Sequence, residues 1–380
     1  MQRVSLPVCG VVLLLVTMLW PGDAVAQQQN KPPGSPVNIK SYVCADGKPV
    51  TGDGKHDDTT GIQVALDDAS KTLVIPPGVY RITSTLRMSG NRAMVISAEP
   101  GAVFQFRPID GSTTCIELRT NGAPMSVRKA IYGLTLIGPR PQDPPKDPTY
   151  QPGKLIGIKM FETQQGELAN VRIIGFDGVG LFIDHCYYWS IRNLDVRYNG
   201  WGVKCDGANA TFFYNLQAQY NVYGYENVQS IMGGAIEGNF KSGGRYTEIG
   251  TRYSVHDVWF EQNNLGNSSP GEADIWANDP KGEWAPVVLS LSGCTTFHNT
   301  YSAPGVDERA VPTHNIAGCL HLSLSGAVRF FEESRWHNFS MHRMSKITDG
   351  SVGDAMADVK NGFDGQVFYA RPEFKVIGPQ

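Results

Sequence analysis

The chain has 380 residues, of which 33 are basic and 36 acidic, for a formal net charge of -3. A balance so near neutrality offers no basic field for a phosphate backbone and argues against nucleic acid as a main partner. Charged residues make up only 18%, while Gly and Pro number 42 and 24; that composition means many turns and few long amphipathic helices. With 41% apolar residues the chain can build a large core, which excludes disorder, collagen and coiled coil.

The first segment has the order of a secretory signal: Arg3, an apolar stretch from Val8 to Trp20, the breaker Pro21-Gly22, then Ala24-Val25-Ala26. Cleavage is expected near Ala26, leaving a secreted or periplasmic protein. The stretch is shorter than the about 20 residues that span a bilayer, and no later run is longer, so no membrane span is expected. Residues 27–41 read as a linker. Asp57 or Asp58 is placed to cap a helix whose apolar face is Ile62, Ala65, Leu66 and Ala69, followed by a strand at Leu73-Val74-Ile75 and a turn at Pro76-Pro77-Gly78. The Pro-rich stretch 139–152 reads as a projecting loop, because Pro removes ladder donors.

From residue 176 the chain repeats. Phe176-Asp177-Gly178-Val179-Gly180, Tyr198-Asn199-Gly200-Trp201-Gly202 and Tyr220-Asn221-Val222-Tyr223-Gly224 each start 22 residues after the last. Each is followed by a short alternating run, such as Leu181-Phe182-Ile183-Asp184 and Val203-Lys204-Cys205-Asp206. Two-residue alternation at fixed long intervals, with turns between, is what stacked short strands require. A second set of strands is expected at 193–197, 215–219, 233–237 and 257–261, and Leu289-Ser290-Leu291-Ser292-Gly293 recurs as Leu322-Ser323-Leu324-Ser325-Gly326. Such repeats bury their apolar sides on their neighbours, which predicts a single-stranded parallel β-helix over 42–340, with 341–380 as a carboxy-terminal cap or tail and the early helix closing the other end. Asn199 and Asn221 are expected to form a ladder inside the turns. Six cysteines remain beyond the signal, Cys44, Cys115, Cys186, Cys205, Cys294 and Cys319. The register puts Cys205 over Ile183, with Cys186 about 10 Å farther along its own coil, so a bridge between those two is not expected.

The run Gly52-Asp53-Gly54-Lys55-His56-Asp57-Asp58-Thr59, then Ile62-Gln63-Val64-Ala65-Leu66 and Val74-Ile75-Pro76-Pro77-Gly78-Val79-Tyr80-Arg81-Ile82, resembles the amino-terminal part of pectate-lyase-superfamily proteins, which include rhamnogalacturonase-like and epimerase-like enzymes and phage tailspikes. The resemblance implies a right-handed β-helix that acts on an extracellular polysaccharide, as hydrolase or lyase; the fold also hosts non-catalytic glycan-binding and surface-assembly proteins. The motifs of polygalacturonases are missing from the coils. Phe182-Ile183-Asp184-His185 is similar to the Trp-Ile-Asp-His segment of calcium-dependent pectate lyases, whose companion Arg-x-Pro-x-x-Arg element is absent.

The candidate site lies on outward positions of the second strand set: Asp195 and Arg197, Gln217 and Gln219, Glu237, then Trp259 and Glu261. Alternate residues of a strand share a face, and sugar cleavage needs carboxylates for proton transfer and aromatic planes for sugar rings. Glu237 and Glu261, 24 residues apart, are about one coil apart and are expected to be the acid and base pair of a hydrolase. Asp195 and Arg197 join them as catalytic candidates. Trp259, with Lys204, Asp184 and Asp206 of a second polar column that also holds Glu226 and neighbours His185, is a candidate for substrate binding. In a lyase, Lys204 or Arg197 would act at C5 of a uronic acid, with calcium balancing the charge; no other cofactor is expected. A groove wall is expected from the 263–285 insertion, which carries Trp276 and Trp284. His256 and His298 have no partner visible in the sequence, and Asp53, Asp57 and Asp58 read as turn and cap residues, with cation binding as the alternative for that cluster.

Overall fold

The computed structural model describes residues 34–263, with breaks at 69–70, 91–92, 121–127, 141–142, 144–148 and 248–251, and beyond them the segments 275–277, 288–292, 294–297, 324–325, 328–330 and 348–349. The expected signal (1–26), residues 141–142 and 144–148 of the expected loop, Ala69, Trp284, His298 and Cys319 lie outside the described residues.

Among the described residues the strands form one sheet of 17 and one of 10, and their ladders are parallel. One coil shows how. Val179–Asp184 runs in the smaller sheet and the chain turns at His185, φ 50. Tyr187–Arg197 then runs in the larger sheet but bends at Asn193, φ 50. After a corner at Tyr198, φ 55, the chain enters Trp201–Asp206, in register on the start of the coil: Val179 faces Trp201, Leu181 faces Val203 and Ile183 faces Cys205. Each coil therefore has three faces: a first face in the smaller sheet, and second and third faces on either side of the bend in the larger one.

The sequence pattern reveals the first and third faces but not the second, made by 187–192, 212–214, 230–232 and 252–256. Its corner consumes a single residue, Asn193 or Asn215, in a left-handed conformation that Asn tolerates better than most residues. In the coil 230–237 the same corner falls at Gly233, φ 71.

The expected columns stack. A Cβ on Gly180 would sit 2.7 Å from the Gly202 carbonyl oxygen, and one on Gly202 would press on the Gly224 carbonyl, so these positions exclude a side chain. The asparagine ladder is present and longer than expected. The backbone N–H of Asn199 donates to Asn221 Oδ1 at 2.9 Å, that of Asn221 to Asn239 Oδ1 at 3.0 Å, and that of Asn239 to Asn263 Oδ1 at 3.4 Å. Inward columns such as Leu168, Ile191, Phe213, Ile231 and Val255 are buried. At about 1.5–3 kcal/mol per fully buried large apolar side chain, these columns far outweigh the surface ion pairs, which are worth about 0–1 kcal/mol each.

At the amino-terminal end the helix is Thr59–Asp67, with Ile62, Ala65 and Leu66 buried as expected. It packs on Leu86–Met88, the end strand of the smaller sheet. Asp58 occupies the cap position without a side-chain capping bond; Asp57 caps instead, its Oδ1 accepting the Thr59 N–H at 3.1 Å. Two boundaries differ from expectation. The stretch read as a linker contains the strand Gly34–Asn38, paired with Lys71–Ile75, and the buried Ile39. At the other end Thr348–Asp349 pairs with Val328–Phe330, so the ladder continues past residue 340. The Leu-Ser-Leu-Ser recurrence is not a register match: Leu324 faces Thr296 rather than Leu291. Cys44, Cys115, Cys186, Cys205 and Cys294 are unbridged and buried; Cys186 Sγ lies 3.2 Å from Thr163 Oγ1.

Candidate functional site

On the third face, strand register builds two outward columns. Arg197 faces Gln219, Gln219 faces Glu237 and Glu237 faces Glu261; beside them Asp195 faces Gln217, Gln217 faces Ala235 and Ala235 faces Trp259. Glu237 and Glu261 are thus direct cross-strand partners on backbones about 4.8 Å apart. Glu237 accepts a hydrogen bond from Gln219 Nε2 at 2.8 Å. Glu261 accepts one from the indole Nε1–H of Trp259 at 2.8 Å, and that indole is 43% exposed. Between Gln217 and Trp259 the column holds only Ala235, and a Cβ added to Gly233, on the same strand, would meet no atom within 4 Å. The small residues leave a notch, walled on one side by Trp259 and bordered by both glutamates.

Asp195 and Arg197 share this face, but their groups are engaged with one another. Arg197 Nε donates to Asp195 Oδ1 at 2.5 Å and Arg172 Nε to Asp195 Oδ2 at 2.8 Å. Asp195 therefore holds two guanidiniums, and Arg197 stands two strands from Glu237. Both position the face rather than reach into the notch.

Lys204, Asp184 and Asp206 lie elsewhere, on the first face, and the structure does not bring them to the glutamates. They do not form one column, as the sequence suggested, but two: Asp184 faces Asp206, while Lys204 stands between Phe182 and Glu226. Lys204 is ion-paired with Glu226 and lies over the Trp201 ring at 5.1 Å. Asp184 is met by Lys159 at 3.4 Å and by His185 Nδ1 at 2.7 Å. Lys159, and His185 when protonated, compete with calcium at that carboxylate. Trp276, expected in a groove wall, belongs to Ile275–Ala277 in the smaller sheet, opposite Arg245. It is likewise away from the glutamates.

The Asp184 hydrogen bond raises the His185 pKa above its ordinary 6.5. A raised folded-state value contributes stability below the unfolded pKa and loses it as pH climbs through the folded one; with the imidazole 58% exposed, screening keeps the contribution small. Asp184→Asn is expected to lower the His185 midpoint in an NMR titration of the ring, and an unmoved midpoint would remove Asp184 as the cause.

The second face carries what the sequence reading missed: Tyr188, Phe212, Tyr214 and Met232, exposed at 62%, 44%, 39% and 52%. Tyr214 faces Met232, which faces His256, and His256 has Ser254 as hydrogen-bond partner at 2.6 Å. Alternation in Phe212-Phe213-Tyr214 was the available signal, hidden by the apolar character of all three. Among the described residues no helix is long and apolar enough to cross a membrane.

No protein-family model matches the chain. A glucan 1,3-beta-glucosidase of Cochliobolus carbonum is 33% identical over 88 residues, which cover 22% of this chain and 10% of that protein. Among solved structures, the A-module of a mannuronan C-5 epimerase from Azotobacter vinelandii is 16% identical with a TM-score of 0.44, over 70% of this chain and 90% of that one. The Dettilon tailspike protein is 13% identical with a TM-score of 0.45, over 66% and 53%. A surface adhesin of Streptococcus pneumoniae, PfbA, is 11% identical with a TM-score of 0.40, over 70% and 72%. The fold itself, a parallel β-helix as the superfamily resemblance implied, rests on the strand register above.

Proposed function

We propose that the protein is a polysaccharide-degrading enzyme of the hydrolase type, with its site in the third-face notch and Glu237 and Glu261 as the acid and base pair. The observation that carries this is the direct pairing of the two glutamates beside an exposed tryptophan bonded to one of them. A sugar ring seated over Ala235 stacks on Trp259 and brings its glycosidic oxygen to the carboxyl groups. One carboxyl gives its proton to the leaving oxygen, and the other attacks the anomeric carbon or takes a proton from water. Partner strands about 4.8 Å apart suit the about 5–5.5 Å separation of the two carboxyls in retaining enzymes.

The lyase alternative has less support, because its cationic candidates are ion-paired: Lys204 to Glu226 and Arg197 to Asp195. The short match to a protein named as a glucan glucosidase is in keeping with the same substrate class. Export belongs to this proposal too, from the charged, apolar and small-residue order of residues 1–26.

The test is incubation with a panel of neutral and acidic polysaccharides. New reducing ends without ultraviolet-absorbing unsaturated products are expected. Unsaturated ends would replace the hydrolase reading with a lyase, and binding without any cleavage would replace it with a glycan-binding role, for which the exposed aromatics of the second face would then account.

A further inference from the structure

Cys44, His56 and Asp58 come from two stretches of chain, the last two lying where a strand passes into a helix. Cys44 lies in a tight turn, where its N–H donates to the Lys48 carbonyl at 2.7 Å and Val43 pairs antiparallel with Pro49. His56 is in the strand Asp53–Asp57, and Asp58 stands at the head of the helix Thr59–Asp67. Their ligand atoms, one from each residue, lie within 4.8 Å of one another. Cys44 is 5% exposed and Asp58 0%, and the His56 side chain is 12% exposed. A side chain on Gly61 of the helix would collide with the thiol, its Cβ lying 2.9 Å from Cys44 Sγ, so the missing side chain is what lets the sulfur reach this cluster.

We infer that Cys44, His56 and Asp58 form a binding site for a first-row transition metal of the zinc type, distant from the glutamate notch and independent of the proposed activity. Thiolate, imidazole and carboxylate are a donor set that suits zinc, and sulfur makes it unsuitable for calcium or magnesium. Three protein ligands leave a fourth tetrahedral position for water.

Two further features favour a cation. The other ring nitrogen, His56 Nε2, lies 3.1 Å from Asp46 Oδ2, which is the outer carboxylate that orients a metal-binding imidazole and raises its basicity. The fully buried Asp58 has only His56 as its ion-pair partner among the described residues, with Nδ1 at 3.2 Å from Oδ1, and its oxygens also accept the N–H groups of Thr51 and Gly52 at 2.8 and 3.1 Å and the Thr51 hydroxyl at 3.4 Å. A buried carboxylate needs charge compensation, which a divalent ion supplies once His56 is neutral with its Nδ1 free of a proton. As the metal bonds form, the thiol proton and any proton on His56 Nδ1 pass to solvent, so no oxidant or reductant is required. The ion would tie the turn at 43–49, the strand and the helix together at the end of the coil stack.

The experiment uses the full chain without a histidine tag, stripped with a chelator and titrated with cobalt(II) and then zinc(II). Expected are about one equivalent of metal per chain, a cobalt spectrum with a thiolate charge-transfer band and strong tetrahedral visible bands, displacement by zinc, and a rise in Tm on adding zinc. Cys44→Ser and His56→Ala should lose the charge-transfer band, whereas Asp53→Asn, in the same strand as His56, should keep it. Folded wild-type protein that binds no equivalent, or binds cobalt without a thiolate band, overturns the site even if neither variant folds. So does an unchanged spectrum in a folded Cys44→Ser variant. None of these readouts depends on polysaccharide cleavage.

Discussion

Glu237→Gln and Glu261→Gln are each expected to lower turnover of the cleaved polysaccharide by about 10²–10⁴-fold, the range that a positioned acid or base contributes, while KM changes far less. Gln keeps the size of Glu and removes the ability to give or take the proton. The two losses should not add, because an acid and a base acting on one bond work as a unit. Trp259→Ala should behave differently. It removes the plane beside the notch and the hydrogen bond to Glu261, so it should raise KM as well as lower turnover. Asp206→Asn, on the first face and away from the notch, should leave both constants unchanged. Steady-state kinetics on a soluble fragment of the responsive glycan checks all four. Full activity in both glutamine variants would dismiss the third-face site while leaving any observed cleavage to be explained from another face.

What the sequence shows of this site is the part written in spacing. The 22-residue columns are visible because Gly180, Gly202 and Gly224 pack against carbonyl groups of the next coil, and no other residue fits there. From those columns the alignment of Glu237 with Glu261 follows, and the register has it. What spacing cannot show is how charges on one face choose partners. Arg197 and Asp195 sit two residues apart and satisfy each other, whereas Lys204 turns to Glu226 on the neighbouring strand. Nor does spacing show a corner made by one asparagine, so the second face and its aromatic residues were hidden. The cap shows the same limit at close range: of the adjacent Asp57 and Asp58, the first caps the helix and the second fastens Thr51, Gly52 and His56. Backbone direction decides between them, and the residue types are identical.

Asn221→Ala is expected to destabilise the coil stack by about 2–5 kcal/mol, since each buried group left without its partner costs about 1–3 kcal/mol. Asn221 Oδ1 accepts from the Asn199 N–H at 2.9 Å and from Asn199 Nδ2 at 3.1 Å, and its own Nδ2 donates to the Val196 carbonyl at 3.0 Å. Ala deletes these three bonds and a fourth, from Nδ2 to Asn239 Oδ1 at 3.2 Å, at a position with 0% exposure, where water cannot replace them without opening the corner. A loss of that size is a large part of the about 5–15 kcal/mol that holds a typical domain together. Gln217→Ala, on the outer side of the same coil, should shift stability by no more than about 0.5 kcal/mol. The ladder also reaches the proposed site. Asn239 and Asn263 follow Glu237 and Glu261 by two residues, and Asn263 Nδ2 donates to the Ile236 carbonyl at 2.9 Å, so the corner that positions one glutamate is tied to the strand of the other. In a solenoid each coil is stabilised mainly by its neighbours, and a gap at Asn221 removes support from the coil that carries Glu237. Thermal unfolding followed by circular dichroism, with activity measured well below the transition, should therefore show both a lowered Tm and a lowered turnover in Asn221→Ala. An unchanged Tm would mean that the ladder bonds are replaced by water and that the corner does not need them.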